Sequence, residues 1–327
     1  MSATGVTSEL LEAGLKLAVE GEPMSRHTSW RIGGPADYLC LAEDERQLLA
    51  AIEIAGKRGL HWLVLGGGNN VLVADEGIEG LVILNRLRGI RIEQSSAGAG
   101  SAHELYCGAG VFFARAAQYS ARRGYTGMEW GIAIPGTIGG GVVNNAGAHW
   151  LDVNGALISA DILQPNGSVD SLTPIDLAYH YRQSALKTPY SRHSTVVVTG
   201  ARFRLQPDDP VEALRRVAEL REHRLRTQPV KEASAGSTFK NPAGEHAGAL
   251  IDRAGLKGHR IGGAQIAPLH ANFILNVDNA TAGEVISLIR LAQSEVEARF
   301  GVWLEPEVQF IGRWPDEVLQ SVLSPAA

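Results

Sequence analysis

Apolar residues recur at helical spacing along residues 8–19, which predicts a helix there. They recur again at Leu48, Leu49, Ile52 and Ala55, which share one face of a helix predicted over 45–57, with Gly59 as its stop. Strand-like runs at 37–42 and 62–65 flank this second helix and complete a compact β-α-β unit, and 71–73 and 81–84 read as further strands. Beyond Arg88 the pattern predicts a helix over 112–123, then an unusual glycine-rich stretch from Gly131 to Gly147, then alternating runs at 158–163 and 195–205 of the kind found in a mixed sheet. A charged helix over 210–226 ends before Gln228-Pro229. Thr281-Ala282-Gly283-Glu284 spells a capping box for a helix running to Phe300, with Gly301 as its stop. Residues 302–311 read as a strand, whose alternation separates Val302, Leu304, Val308 and Phe310 from Trp303, Glu305, Glu307 and Gln309. Helices and strands do not alternate strictly, so the pattern favours an α+β fold over a doubly wound parallel one.

Composition narrows this picture. A chain of 327 residues is too long for one ordinary core and divides into two or three domains, with boundaries expected near 86/87 and 209/210. The short tract at 96–101 reads as a surface loop or domain boundary. With 45% hydrophobic and 20% charged residues the chain is a folded, water-soluble protein rather than a disordered or membrane one. Net charge is −5, and Lys and Arg are scattered, which lacks the footprint of a nucleic-acid binder and leaves small-molecule chemistry. Apolar runs are strand-sized and the N-terminus carries no basic-then-apolar leader, so no membrane insertion and a cytoplasmic location are expected. Cys40 and Cys107 match neither a disulfide framework nor a zinc site and read as buried, reduced thiols. No H-E-x-x-H pair and no Cys cluster is present, so no metal is expected.

Two glycine-rich loops carry the first chemical signal. Gly66-Gly67-Gly68 lets backbone N–H groups approach a ligand closely, and a pyrophosphate is the natural guest, although from this run alone a plain strand-to-loop turn is the favoured account. The stretch 131–147 is long and apolar, which suits a large, flat ligand with a phosphate tail. No Lys-Ser or Lys-Thr pair follows the glycines, so a Walker A loop is excluded, and neither loop spells the Rossmann G-x-G-x-x-G before a helix.

His27-Thr28-Ser29-Trp30-Arg31-Ile32-Gly33-Gly34-Pro35-Ala36 and Leu65-Gly66-Gly67-Gly68-Asn69-Asn70-Val71-Leu72-Val73 resemble the opening motifs of the UDP-N-acetylenolpyruvoylglucosamine reductase (MurB) family, and 131–147 resembles its flavin loop. The likeness continues in order through Tyr181-Arg182-Gln183-Ser184, Gly236-Ser237-Thr238-Phe239-Lys240-Asn241-Pro242, His270-Ala271-Asn272-Phe273-Ile274 and Leu304-Glu305-Pro306-Glu307-Val308, covering nearly the whole chain. Asn69 stands where Ser is more often found in the first glycine loop, and Asn145 where Met is common in the second. The short interval between Arg182 and Ser237 leaves no room for the extra substrate-covering loop of one subtype, so the chain resembles the compact second type.

The resemblance implies FAD held non-covalently by a two-part, VAO/PCMH-like region, with subdomains at 1–86 and 87–209, followed by a smaller α+β substrate domain at 210–327. It implies NADPH as hydride donor and a UDP-sugar enolpyruvyl ether as substrate in peptidoglycan precursor synthesis; apart from the resemblance, a monomer with no nucleic-acid partner is expected. Flavin contacts are implied at Gly66, Gly67, Gly68, Asn69, Asn70, Ile134, Pro135, Gly136, Thr137, Gly140, Gly141, Asn145 and Gly147. Arg182 is similar to the active-site arginine, Ser237 to the proton donor and Glu307 to the catalytic carboxyl, with Tyr181, Gln228, Asn241 and His270 on the substrate side.

These roles agree with the chemistry. Hydride delivery to an enol ether beside a carboxylate builds negative charge that must be held and then quenched. Arginine offers a planar fork of donors to the carboxylate, a protonated Glu307 can donate to the developing enolate, and Ser237 can protonate the carbon if tightly positioned. Taken singly, Arg182 could be a surface ion-pair residue, Ser237 a turn or cap residue, Glu307 a solvated strand residue and His270 a structural histidine. An FAD oxidase on the same scaffold and a catalytically silent nucleotide-sugar sensor are the competing readings.

Overall fold

The structure is a computed structural model that describes residues 4–94, 103–164, 166–187 and 197–324; the expected loop at 96–101 and residues 195 and 196 of an expected strand lie outside them. The chain divides into two units, neither of them continuous in sequence. Unit 1 comprises Met1–Glu20, Tyr38–Gly67 and Gly80–Arg224, and unit 2 comprises Gly21–Asp37, Gly68–Glu79 and Leu225–Ala327. Helix Pro210–Thr227 turns Ala213, Val217 and Leu220 onto Ala117, Ala121 and Ile132.

Unit 1 has two main cores. In the first, Leu48, Ala51, Ile52 and Ala55 of helix Glu45–Lys57 pack with Leu81 and Ile83 of strand Ile78–Asn85. That helix starts where the Asp44 side chain accepts the Gln47 N–H, and Gly59 follows it at φ +66°. The sheet beneath runs in the order Ala18–Pro23, Pro35–Ala42, Ile78–Asn85, Trp62–Leu65. The N-terminal helix is shorter than its pattern predicts: it spans Thr4–Glu12, since Gly14 at φ +89° breaks it, and Val19 lies in a strand instead.

The second core rests on an antiparallel sheet ordered Val169–Leu172, Leu157–Leu163, Val197–Pro207, His103–Gly108, Ile90–Gln94. Ala201 pairs with both Ala160 and Cys107 in its middle. Phe113, at the start of helix Phe113–Ala121, packs here with Trp130 and Phe203. The stretch 131–147 is not one loop: it contains the helix Ile138–Asn144. Cys40 and Cys107 are buried and free, and burial pushes both thiols up to about 12.

Unit 2 is built on helix Ala282–Phe300. Its capping box is present, with Thr281 accepting from the Glu284 N–H and Glu284 reaching back, and Gly301 ends it at φ +66°. Asp75 adds to the cap by accepting the N–H groups of Ala282 (2.8 Å) and Gly283 (3.0 Å). Leu288, Ile289 and Ala292 pack with Trp30, Leu72, Leu250 and Phe310 in the largest core of the unit. Only Gln309–Ile311 of the strand expected over 302–311 is a strand; it pairs in parallel with Val71–Val73, and Pro306, which lacks an N–H, interrupts the run before it. The alternation nonetheless holds, with Leu304, Val308 and Phe310 buried. Among the described residues no helix is long and apolar enough to cross a membrane.

Candidate active site

Strand Trp62–Leu65 delivers Gly66 opposite Thr137, the residue preceding helix Ile138–Asn144. A Cβ on Gly66 would lie 2.3 Å from the Thr137 hydroxyl, so only glycine leaves that approach open. Thr137 is 3% exposed and its hydroxyl has no hydrogen-bond partner among the described residues. An unsatisfied buried hydroxyl costs about 1–3 kcal/mol, which an accepting phosphate oxygen would relieve. Arg86, not anticipated from the sequence, donates Nη1 to the carbonyls of Gly66 (2.8 Å) and Asn85 (3.1 Å), and burial holds its guanidinium below the usual arginine range. A bare backbone, an idle donor and a half-buried cation fit a diphosphate, so this part of unit 1 is suited to the FAD that the resemblance implies.

The glycines of the second loop do different things. Gly140 is exposed, and a Cβ on it would meet only the Thr137 hydroxyl, at 3.8 Å. Gly139 and Gly141 face inward, where added Cβ atoms would lie 2.9 Å from Ala109 and 2.2 Å from the Phe113 ring. Their smallness lets the helix sit against the sheet. Gly136, at φ +116°, accepts the Phe113 N–H; Ile134 is buried and Pro135 exposed; Gly147 pairs closely with Asp152.

Asn145 ends helix Ile138–Asn144 in the left-handed conformation, at φ 46° and ψ 55°. Its side chain is turned into the protein, donating to Asp152 Oδ2 (3.1 Å) and the His180 carbonyl (3.0 Å) and accepting the Asn154 N–H (3.0 Å). His180 and Gln183 exchange both backbone hydrogen bonds, which makes Tyr181 and Arg182 the tip of a tight turn. Arg182 sits at φ +57°, in a place that usually takes Gly or Asn. Its guanidinium donates Nη2 to the Gly147 carbonyl (3.1 Å) and Nη1 to that of Asn145 (3.4 Å), and lies 5.1 Å from the centre of the half-exposed Tyr181 ring. Ser184 donates to the Val143 carbonyl (2.6 Å) and Tyr179 to that of Val142 (2.9 Å); burial raises the Tyr179 phenol, which stays a donor. The arginine segment thus satisfies carbonyls that the end of the helix leaves without intrahelical partners.

In unit 2, Gly68 is fixed by its backbone: at φ +64°, a Cβ would fall 2.1 Å from the His27 carbonyl. Asn69 holds its Oδ1 buried with no partner among the described residues, a second idle group. Asn70 donates its amide to the Glu307 carbonyl (3.2 Å), and the Glu307 N–H donates to the Thr238 carbonyl (2.8 Å). Phe239 and Pro306 form an antiparallel bridge, and the Lys240 N–H donates to Glu305 (2.9 Å). Glu307 is therefore set opposite Thr238, one residue from Ser237, which itself follows Gly236 at φ +80°. Ser237 and Glu307 are brought into one backbone neighbourhood; Arg182 belongs to unit 1.

Asn272, quoted in a motif but given no role, organises that neighbourhood. It is 3% exposed, accepts the Phe239 N–H (2.9 Å), donates to the Phe239 carbonyl (2.8 Å), and its own carbonyl takes the Thr238 N–H (2.8 Å). The His270 Nδ1 accepts the Asn272 N–H (3.3 Å), which places the proton of a neutral ring on Nε2, and burial holds this imidazole below the usual histidine range. Asn241 is exposed and accepts the Ala247 N–H (3.1 Å) at the start of helix Ala247–Arg253, and the Gln228 carbonyl takes the Val230 N–H (2.9 Å).

Comparison with known proteins gives these sites a context. Residues 36–173 match the family described as FAD binding domain, which makes this a flavin-binding class of protein. Residues 228–311 match the UDP-N-acetylenolpyruvoylglucosamine reductase, C-terminal domain. The chain is 42% identical over 293 residues to the UDP-N-acetylenolpyruvoylglucosamine reductase of Trichormus variabilis, spanning 89% of this chain and 85% of that one. The enzyme of the same name from Rubrobacter xylanophilus is 41% identical over 293 residues, 89% and 94% of the two chains. The crystal structure of MurB from Thermus caldophilus superposes with a TM-score of 0.72 at 34% identity, covering 91% of this chain and 98% of that one. The chain belongs to the UDP-N-acetylenolpyruvoylglucosamine reductase family.

Proposed function

We propose that the chain catalyses the NADPH-dependent, FAD-mediated reduction of UDP-N-acetylglucosamine enolpyruvate to UDP-N-acetylmuramate, a step of peptidoglycan precursor synthesis. The observation that carries this reading is the mounting of Arg182, a long cationic side chain kept at φ +57° with its guanidinium braced on two carbonyls. Strained backbone of this kind persists where the surroundings enforce it and is concentrated at functional sites. A braced, planar guanidinium is the group that an enolpyruvyl carboxylate requires.

Bound FAD would supply the hydride chemistry, accepting from NADPH and delivering to the enol carbon. The idle hydroxyl of Thr137 and the bare backbone at Gly66 would hold its diphosphate, with Arg86 supplying positive charge nearby. Arg182 holds the substrate carboxylate, where negative charge accumulates as the carbon is reduced. Glu307 in its acid form donates to the developing enolate. Ser237 gives its proton to the α-carbon. Tyr181, Gln228, Asn241 and His270 contact the nucleotide sugar. The reading takes 1–86 and 87–209 as the flavin-holding subdomains and 210–327 as the substrate domain of a cytoplasmic monomer that binds no nucleic acid, in a pathway on which cell shape and division depend.

The test separates the two half-reactions by stopped flow. Ser237→Ala should leave flavin reduction by NADPH within about twofold and slow the enolpyruvyl-dependent reoxidation by roughly 10²–10⁴-fold, the usual worth of a positioned general acid. Equal losses in both halves would remove Ser237 from the proton-donor role. A purified protein that is colourless and takes up no FAD would sink the whole reading.

A further inference from the structure

We propose that Asn145 is a positioning residue for Arg182, setting the guanidinium at the substrate carboxylate rather than contacting the flavin; the inference rests on the role of Arg182 given above. Asn145 meets the arginine at both ends of its mount. Its backbone carbonyl accepts Nη1 of Arg182 at 3.4 Å, and its side-chain Nδ2 donates at 3.0 Å to the carbonyl of His180, which opens the turn. The same nitrogen donates to Asp152 Oδ2 at 3.1 Å, and Oδ1 accepts the Asn154 N–H at 3.0 Å. Both amide hydrogens are engaged within the protein, the amide oxygen accepts the Asn154 N–H, and the residue is 2% exposed, so the side chain has no donor left for a ligand. Asp152 is held in turn by the Gly155 N–H, at 3.0 Å to Oδ1.

An ordinary helix terminator would need only the left-handed backbone, which glycine adopts at least as readily. What distinguishes positioning is the amide. The two roles separate in Asn145→Gly, which keeps the backbone conformation and deletes the bonds to His180, Asp152 and Asn154.

The experiment uses the full-length, FAD-loaded protein and follows each half-reaction. Asn145→Gly should load FAD and be reduced by NADPH within about twofold of the parent, while reoxidation by the enolpyruvyl ether slows roughly 10- to 100-fold, as a misplaced reacting group does. In an Arg182→Ala background the same change should cost nothing further. An additive loss in that background would overturn the proposal, and so would an Asn145→Gly protein with normal reoxidation when Arg182→Ala is severely impaired. If Arg182→Ala itself reoxidises normally, the role of Arg182 fails first and the proposal with it.

Asn145→Asp supplies an independent reading should the glycine variant fold poorly. At neutral pH the new carboxylate faces that of Asp152, and lowering the pH protonates one of the pair and restores a donor. Its reoxidation rate, taken relative to the parent, should therefore recover as the pH falls. A ratio that does not change with pH would count against the proposal.

Discussion

The turn that carries Arg182 hangs from side chains, whereas the segment that carries Ser237 is laced through its backbone. Around Arg182, Tyr179, Ser184 and the Asn145 amide reach to main-chain carbonyls, and the arginine braces itself on two more. Around Ser237, the main chain of Thr238 and Lys240 pairs with Glu307 and Glu305, and Asn272 clamps both polar groups of Phe239. A mount made of several side chains can be loosened one bond at a time. A mount made of backbone yields as a unit, so damage there should appear as instability before it appears as altered chemistry.

The largest expected effect falls where one side chain, Asn272, holds two main-chain groups of that mount. Asn272→Ala leaves the Phe239 N–H and carbonyl buried without their partner and should destabilise the protein by roughly 2–5 kcal/mol, read from urea unfolding. A loss no greater than that of a single bond in the Arg182 mount would erase the contrast between the two.

Thr137→Val comes next and has opposite signs in two states. Removing an idle buried hydroxyl should raise the stability of FAD-free protein by about 1–3 kcal/mol and weaken FAD binding by roughly tenfold, measured by thermal shift and by flavin titration. Lower stability without FAD would mean that the hydroxyl is already satisfied. Ser184→Ala deletes one side-chain link to the Val143 carbonyl and should cost about 1 kcal/mol, with the substrate half-reaction affected more than flavin reduction.

The smallest effect is that of pH. His270 has its folded pKa lowered, chiefly by burial, below its ordinary 6.5, so the unfolded chain takes up the proton first as pH falls. The stability it contributes is fully present above pH 6.5 and is lost as the pH drops toward the folded value. His270→Asn, which can still accept the Asn272 N–H, should flatten that part of the stability profile, and an unchanged slope would exclude His270 as its source.

Much of the fold was legible where one local rule sufficed. The helix Glu45–Lys57 follows from its apolar spacing and Gly59, and helix Ala282–Phe300 from its capping box and Gly301. The helix Ile138–Asn144 was hidden because glycine is a poor helix former, and contacts distant in sequence override that: Gly139 fits on Ala109 and Gly141 on Phe113. The motifs named Arg182, Ser237 and Glu307, but nothing in their spacing tells that Asn145 turns inward, that Arg86 reaches the Gly66 carbonyl, or that Asn272 clamps Phe239. Those partnerships are decided by chain segments that only the fold brings together.

The discontinuity of unit 2 matters for how the chain is made. Trp30, Ile32, Leu72 and Ala74 are synthesised early yet belong to a core whose main helix is Ala282–Phe300, and Val71–Val73 pairs with Gln309–Ile311 near the C-terminus. In vectorial synthesis Trp30 and Leu72 precede their main packing partner, helix Ala282–Phe300, by more than two hundred residues, whereas the last segment of unit 1 closes at Arg224. A product that stops short of helix Ala282–Phe300 would leave the apolar side chains of Trp30 and Leu72 without the core they pack in.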